Sequence, residues 1–206
     1  MPDLQTVDPE VSRAKFDREI AAYQAMDDAY RRRGWFLLDA EFPEACVLFG
    51  SPKLKPPALL GAVVLDFTDY DLRPPSVRFV DPFTREPLRK KDLILQMPRR
   101  PDMPGVTDET VTEMLRKGYP CQNLIQANGD EDQPFLCIPG VREYHENPAH
   151  TGDPWLLHRA SGEGSLVFIL EKIWAYGVHP VAGYQFQIQI NAAQIGIGIP
   201  PETVAK

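Results

Sequence analysis

The stretch that determines the fold is Tyr70-Asp71-Leu72-Arg73-Pro74-Pro75-Ser76-Val77-Arg78-Phe79. Proline has no backbone N–H to donate to a neighbouring strand, so the Pro-Pro pair must interrupt strand pairing. The residues before it, Leu59–Phe67, form an almost continuous apolar run, and the residues after it, Ser76–Val80, alternate in polarity. The stretch therefore predicts a rigid turn with one strand on each side.

Two further strands are predicted upstream of this turn. Residues 35–40 and 45–50 are rich in aromatic and aliphatic side chains, and the short Pro43-Glu44 turn lies between them. Short apolar runs joined by a tight turn indicate an antiparallel hairpin. Together with the strands on either side of the Pro-Pro pair, they predict a four-stranded antiparallel meander.

A helix is predicted in front of the meander. Asp8 is suited to the N-cap and Pro9 to the first helical position. Spacings of three to seven residues place several apolar side chains on one helix face, namely Phe16, Ile20, Tyr23 and Tyr30. Gly34 follows a run of three arginines and is placed to end the helix.

One cysteine is set between prolines in the stretch Gln133-Pro134-Phe135-Leu136-Cys137-Ile138-Pro139-Gly140. The two prolines disfavour a continuous central strand, but these residues alone fit a buried core cysteine and a nucleophile equally well. Cys46, in a predicted strand, is interpreted as a core residue. Apolar residues from Leu166 to Trp174 recur at helical spacing and predict a second long helix, with Gly177 just past its end.

The composition restricts the class of protein. The chain has 206 residues, three cysteines and a formal net charge of −7. The negative charge argues against non-specific binding to nucleic acid or to an anionic membrane. The odd number of cysteines does not suggest a disulfide framework, and no apolar run approaches the ~18 residues of a membrane span. We predict a single domain over residues 1–206 and a cytoplasmic location.

This order of elements resembles the ubiquitin-conjugating enzymes. The Tyr70–Phe79 stretch is similar to the family's Tyr-Pro-Phe-x-Pro-Pro-x-Val-x-Phe block, and Leu136-Cys137-Ile138 is similar to the Cys-Leu that carries the thioester. The resemblance covers most of residues 10–180. It implies an α+β fold of the conjugating-enzyme (UBC-like) type, with an enlarged flap insertion at residues 81–133. Residues 185–191, in the C-terminal extension 181–206, alternate strictly in polarity and so predict an extra, half-buried C-terminal strand.

The chain also departs from the eukaryotic enzymes, which place a His-Pro-Asn flap shortly before the cysteine. No such tripeptide occurs between Phe79 and Cys137. The chain looks more like the divergent bacterial conjugating enzymes encoded beside a ubiquitin-like protein, an activating enzyme and a deubiquitinase-like peptidase. This resemblance implies a transferase of an antiphage conjugation system that needs no cofactor. Its implied partners are a ubiquitin-like protein, an activating enzyme and a protein target with a free amine.

Within that interpretation, Cys137 accepts the acyl group, and an amide donor is needed for the negative charge that develops on the carbonyl oxygen. Asn128, nine residues before the cysteine, is one candidate for this donor, and Asn147 is the alternative. His145 or His150 could accept a proton from an attacking lysine. Local hydrogen bonding in a loop explains these two histidines equally well.

Two other classes of function stay open. A zinc site could use Cys137, His145, His150 and His158, although their spacings match no standard zinc motif. The chain could also be a non-catalytic module that binds a ubiquitin-like protein. Such a module would lack a usable cysteine, and the presence of Cys137 argues against it.

Overall fold

Two N-terminal helices and a four-stranded antiparallel sheet form the frame of the chain. The computed structural model describes residues 6–99, 107, 110, 113, 114, 117, 122–181 and 183. The helices are Pro9–Gln24 (α1), Asp27–Arg33 (α2), Arg142–Glu146 (α3) and Leu166–Ile173 (α4). The strands are Trp35–Glu41 (β1), Glu44–Ser51 (β2), Ala58–Asp66 (β3), Ser76–Val80 (β4), Ile125–Gln126 (β5) and Phe135–Leu136 (β6). Single helical turns lie at Lys90–Asp92, Pro148–His150 and Trp155–Leu157, and a π turn extends α4 over Trp174–Val178.

The N-terminal signals predicted from sequence are confirmed, with one correction. Asp8 accepts a hydrogen bond from the backbone N–H of Glu10, as an N-cap should. Gly34 ends α2 at φ 88°, and a Cβ there would lie 2.0 Å from the carbonyl oxygen of Gly50. The prediction of one continuous helix is wrong, because the chain turns at residues 25–26. The turn starts α2, whose Tyr30 stacks on Trp35 with ring centroids 4.7 Å apart.

The predicted meander is confirmed. The sheet has the order β1-β2-β3-β4, and all three pairings are antiparallel. β4 is shorter than β3 and pairs with it only from Ala62 to Asp66. The first residues of β3, Ala58–Gly61, therefore extend beyond the end of β4.

The main core lies between one face of this sheet and the helices α1 and α4. It is formed by fully buried side chains from all of these elements, including Phe16, Tyr23, Val47, Leu65, Ile169 and Leu170. Glu19, which is 8% exposed, accepts a hydrogen bond from the backbone N–H of Leu166 and so joins α1 to the first turn of α4. Cys46 belongs to a smaller apolar cluster with Ala62, Val64 and Val80.

Cys137 lies in a narrow ribbon that is built partly from the 81–133 insertion. Arg99 donates its backbone N–H to Gln122, and Leu124 donates to Met97, so residues 97–99 run beside residues 122–124. Cys137 in turn donates its backbone N–H to Leu124 at 2.7 Å, next to the β5–β6 pairing. The insertion therefore supplies two of the three ribbon segments.

The remaining predictions have different outcomes. Within the 81–133 insertion, Thr110, Glu113 and Met114 are helical, and Thr107 accepts a hydrogen bond from the N–H of Thr110. The strand predicted at residues 185–191 lies outside the described residues. Gly177 follows the end of α4, as predicted, but it lies within the π turn, where it is buried against Leu95 and Met97. In the part of the chain that the structure describes, no helix is long and apolar enough to span a membrane.

Candidate functional site

Cys137 lies at the end of β6, where the chain turns sharply into α3. Gly140 makes this turn at φ 90°, and a Cβ at that position would lie 2.1 Å from the carbonyl oxygen of Glu163. Only glycine fits such a close backbone approach without displacing a neighbouring segment. The turn therefore fixes where α3 starts relative to the thiol.

The buried side chain of Arg142 joins this segment to the Pro-Pro stretch. Its Nε donates to the carbonyl oxygen of Pro74 at 3.2 Å and its Nη2 to that of Thr68 at 2.6 Å. Its backbone N–H donates to the carbonyl oxygen of Pro75 at 2.9 Å. Because guanidinium presents several donors in a fixed geometry, one side chain satisfies carbonyl groups on two sides of the turn.

Two more side chains, Glu143 and Trp155, attach the same region to that stretch. Glu143 accepts a hydrogen bond from the hydroxyl of Ser76 and another from the backbone N–H of Val77, and burial raises the pKa of its carboxyl group. The indole Nε1 of Trp155 donates to the carbonyl oxygen of Asp71 at 2.9 Å. The segment after the cysteine is therefore packed on the turn between β3 and β4.

The thiol of Cys137 faces an imidazole. Its Sγ lies 3.4 Å from Nε2 of His150, and the residue is 8% exposed. Burial raises the pKa of the Cys137 thiol above its ordinary value, while the charge of Arg99 acts in the opposite direction. At rest the group is therefore a protonated thiol in contact with the imidazole of His150.

His150 is held by an aromatic side chain and a carboxylate behind it. The ring of Tyr144 stacks on the imidazole with centroids 4.0 Å apart and planes inclined by 23°. The hydroxyl of Tyr144 donates to Oδ2 of Asp153 at 2.8 Å. Burial, together with Asp153, raises the pKa of Tyr144 to about 12, so the hydroxyl stays a donor over the physiological range.

The two other histidines of this loop are engaged elsewhere. His145 accepts from the backbone N–H of Gly140 at Nε2 and contacts the carbonyl oxygen of Asp153 through Nδ1, which defines a neutral ring protonated at Nδ1. Burial lowers the pKa of His145. His158 lies between the carboxylates of Asp153 and Glu163, and the hydrogen bond to Asp153 raises the pKa of His158 most.

These contacts bear on the zinc alternative. Among the residues that the structure describes, no three His, Cys, Asp or Glu side chains are arranged to hold a metal ion. Both ring nitrogens of His145 contact backbone groups, and both of His158 contact carboxylates. Of the histidines considered in sequence, the structure brings only His150 to Cys137.

The two asparagines lie in different places. Asn147 accepts a hydrogen bond from the backbone N–H of Ala149 and so caps the turn that carries His150. Asn128 is exposed in the loop between β5 and β6. The backbone partner of Cys137 is Leu124, which precedes Asn128 by four residues, so the Asn128 loop lies at the opposite end of the hairpin from the thiol.

Comparison with known proteins identifies the family. The family described as "Y4jH-like: Y4jH family" matches residues 7–181. The chain belongs to the Y4jH family. It is 56% identical over 205 residues to "Uncharacterized protein y4jH" of Sinorhizobium fredii (strain NBRC 101917 / NGR234), covering 99% of each chain. Neither description mentions ubiquitin conjugation, so that resemblance stays a prediction for this Y4jH-family chain.

Sequence reasoning missed three residues that organise the site of this Y4jH-family chain. Arg142 holds the turn between β3 and β4. Tyr144 stacks on the imidazole of His150, and Asp153 accepts the hydrogen bond of the Tyr144 hydroxyl. Arg142 carries no local signal, because nothing in its neighbours predicts that a charged side chain is 4% exposed. The proximity of Tyr144 to His150 depends on the turn at Pro148, which the sequence marks only as a break in a helix.

Proposed function

We propose that this Y4jH-family chain is a conjugating enzyme of the ubiquitin type, in which Cys137 carries a ubiquitin-like protein as a thioester. The observation that carries the proposal is the 3.4 Å contact between Sγ of Cys137 and Nε2 of His150. It occurs on a segment that Arg142 joins to the Pro74-Pro75 turn, following a helix and a four-stranded meander. The order of these parts agrees with the UBC-like interpretation of the sequence.

The chemistry requires two acyl transfers. In the first, the Cys137 thiol gives its proton to His150, and its sulfur attacks the carbonyl of the thioester on the activating enzyme. The thiolate of the activating enzyme leaves and takes the proton from His150. In the second, an amine of the target attacks the Cys137 thioester and forms an amide, and the thiolate leaves. The proton lost by the amine restores the Cys137 thiol, with His150 as the carrier.

The burial of the thiol adds a condition. A side chain that is 8% exposed cannot accept a bulky acyl group in place, so the loop 147–153, which holds His150 against the thiol, must move during transfer. Asn147 lies on this loop and caps the His150 turn. We prefer Asn147 to Asn128 as the donor to the oxyanion, because Asn128 lies at the far end of the β5–β6 hairpin.

The proposal is tested with purified protein, ATP, an activating enzyme and a ubiquitin-like protein from the same genome. We expect an adduct that survives non-reducing electrophoresis and is lost with thiol reductant. Cys137→Ser should abolish the reductant-sensitive adduct, and Cys46→Ser, which changes a cysteine of a separate cluster, should retain it. A reductant-sensitive adduct on Cys137→Ser would overturn the assignment.

The same mixture separates the alternatives. Binding of the ubiquitin-like protein without any adduct on the wild-type chain would favour the non-catalytic module. Elemental analysis of the purified protein tests the zinc alternative, which requires about one metal ion per chain that is lost in a His145→Ala, His150→Ala double variant.

A further inference from the structure

An apolar groove of about 580 Å³ lies on the side of the sheet where β3 begins. Its walls come from β3, from the segment before the ribbon and from the π turn, and include Leu59, Leu60, Ile94, Leu95 and Tyr176. None of the described residues that line it is charged. Ile94 is 80% exposed and Leu59 is 50% exposed, so large apolar side chains face solvent together.

The groove also borders a strand edge. β4 pairs with β3 only as far as Ala62, and within the described chain no strand continues that pairing along Ala58–Gly61. A strand edge beside an apolar groove can receive an extended segment, which pairs through its backbone and places alternate side chains in the groove. The occupant that fits is therefore an uncharged segment with alternating apolar residues.

The chain itself contains such a segment shortly after the groove lining in sequence. Val181 and Gly183, the last two described residues, line the groove. Gln185-Phe186-Gln187-Ile188-Gln189-Ile190-Asn191 alternates strictly, and the first charged residue after Gly183 is Glu202. An uncharged alternating segment left unpaired would promote aggregation between chains.

We propose that residues 185–191 occupy this groove as an additional strand beside Ala58–Gly61, with Phe186, Ile188 and Ile190 on the apolar lining. The segment covers Leu59 and Ile94 and completes the edge of β3 that β4 leaves open. This docking is independent of the chemistry proposed at Cys137, because Cys137 is not among the residues that line the groove.

Hydrogen–deuterium exchange on the full-length chain tests the proposal. In the wild type, peptides covering Ala58–Gly61 should be protected. An Ile188→Asp, Ile190→Asp double variant should raise their exchange rate by about tenfold or more, because charged side chains cannot enter the groove. The matched control, Gln187→Asp with Gln189→Asp, places the same charges on the polar face and should leave the rate unchanged.

A second variant approaches the groove from its other side. Ile94→Asp should increase exchange at both Ala58–Gly61 and residues 185–191, while peptides from α4 keep their protection and report an intact core. Equal exchange at Ala58–Gly61 in the wild type and the Ile188→Asp, Ile190→Asp variant would overturn the proposal. Light scattering completes the test, because protection that appears only with a dimer would assign the groove to a second copy and also overturn it.

Discussion

At the scale of single residues, burial and a neighbouring imidazole have different effects on the Cys137 thiol. Burial keeps the group protonated at rest, and the contact with His150 offers a route for the proton once a substrate arrives. Most reactive cysteines have a lowered pKa and are partly exposed. Cys137 therefore resembles a protected thiol whose reactivity depends on the loop that carries His150.

The raised pKa gives a first prediction. In a Cys46→Ser, Cys121→Ser variant, which retains Cys137 as the one thiol, alkylation by iodoacetamide should be slower at pH 8 than for free cysteine. The rate should still be rising above pH 9, because the thiolate is the reacting form and burial disfavours it. Mass spectrometry of samples quenched at fixed times measures the rate of alkylation. A plateau reached below pH 8 would contradict a raised pKa.

His158 gives a second prediction, with the sign set by linkage. The pKa of His158 is raised in the folded chain. The stability that this shift contributes is therefore fully present below the pKa of the unfolded chain, about 6.5, and is lost as the pH rises through the pKa of the folded chain. The free energy of unfolding of the wild type should fall relative to His158→Gln as the pH increases above about 6.5. Urea titrations at several pH values measure this difference.

His145 serves as the control for that experiment, because its pKa is shifted in the opposite direction. A lowered pKa means that its contribution is present above about pH 6.5 and is lost as pH falls through the folded pKa. His145→Gln should therefore differ from the wild type mainly above pH 6.5 and converge towards it at lower pH. Identical pH profiles for the two variants would contradict the opposite shifts.

At the scale of elements, Arg142 connects α3 to the turn between β3 and β4. Its guanidinium donates hydrogen bonds to the carbonyl oxygens of Thr68 and Pro74. The cysteine segment therefore owes its position to hydrogen bonds, in addition to the apolar packing of Leu136 and Ile138 in the core.

Replacement of Arg142 gives a third prediction. Arg142→Met keeps much of the apolar volume but leaves buried carbonyl groups without donors, so we expect a loss of about 3–5 kcal/mol in the free energy of unfolding. Urea denaturation measures it. Arg78→Met removes an exposed pair with Glu44 and should cost less than about 1 kcal/mol. Equal losses in the two variants would show that Arg142 does not support this region.

At the scale of the whole molecule, one apolar cluster includes side chains from the helices, the sheet and the ribbon. Leu170, fully buried in that cluster, therefore tests whether residues 1–206 unfold as one unit. Leu170→Ala should cost about 2–5 kcal/mol and shift the unfolding midpoints from tryptophan fluorescence and circular dichroism equally. Separate midpoints would contradict the predicted single domain.

The sequence predicted those features that depend on neighbouring residues. Asp8 and Pro9 start α1, Gly34 ends α2, and Pro74-Pro75 separates β3 from β4, because each acts through local backbone chemistry. The turn at residues 25–26 and the π turn around Gly177 carry no such local signal. The stacking of Tyr30 on Trp35 accompanies the first, and the packing of Gly177 against Leu95 and Met97 accompanies the second.

The candidate site was predicted less completely, for the same reason. Cys137 stood out because prolines flank it, but three histidines within one polar loop looked alike in sequence. Their roles differ because of contacts across turns: His150 meets the thiol, His145 meets backbone groups and His158 meets carboxylates. Hydrogen-bond partners that lie far apart in sequence leave no periodic pattern.

The hydrogen bonds of Arg142 also set an order of events on the ribosome. The carbonyl groups of Thr68, Pro74 and Pro75 are synthesised 67 to 74 residues before Arg142 supplies their donors. At typical elongation rates of about 5–20 residues per second, the meander emerges several seconds before the cysteine segment can attach to it. Cys137 and His150 can meet only at the end of that interval, so a growing chain contains the sheet well before it contains the site.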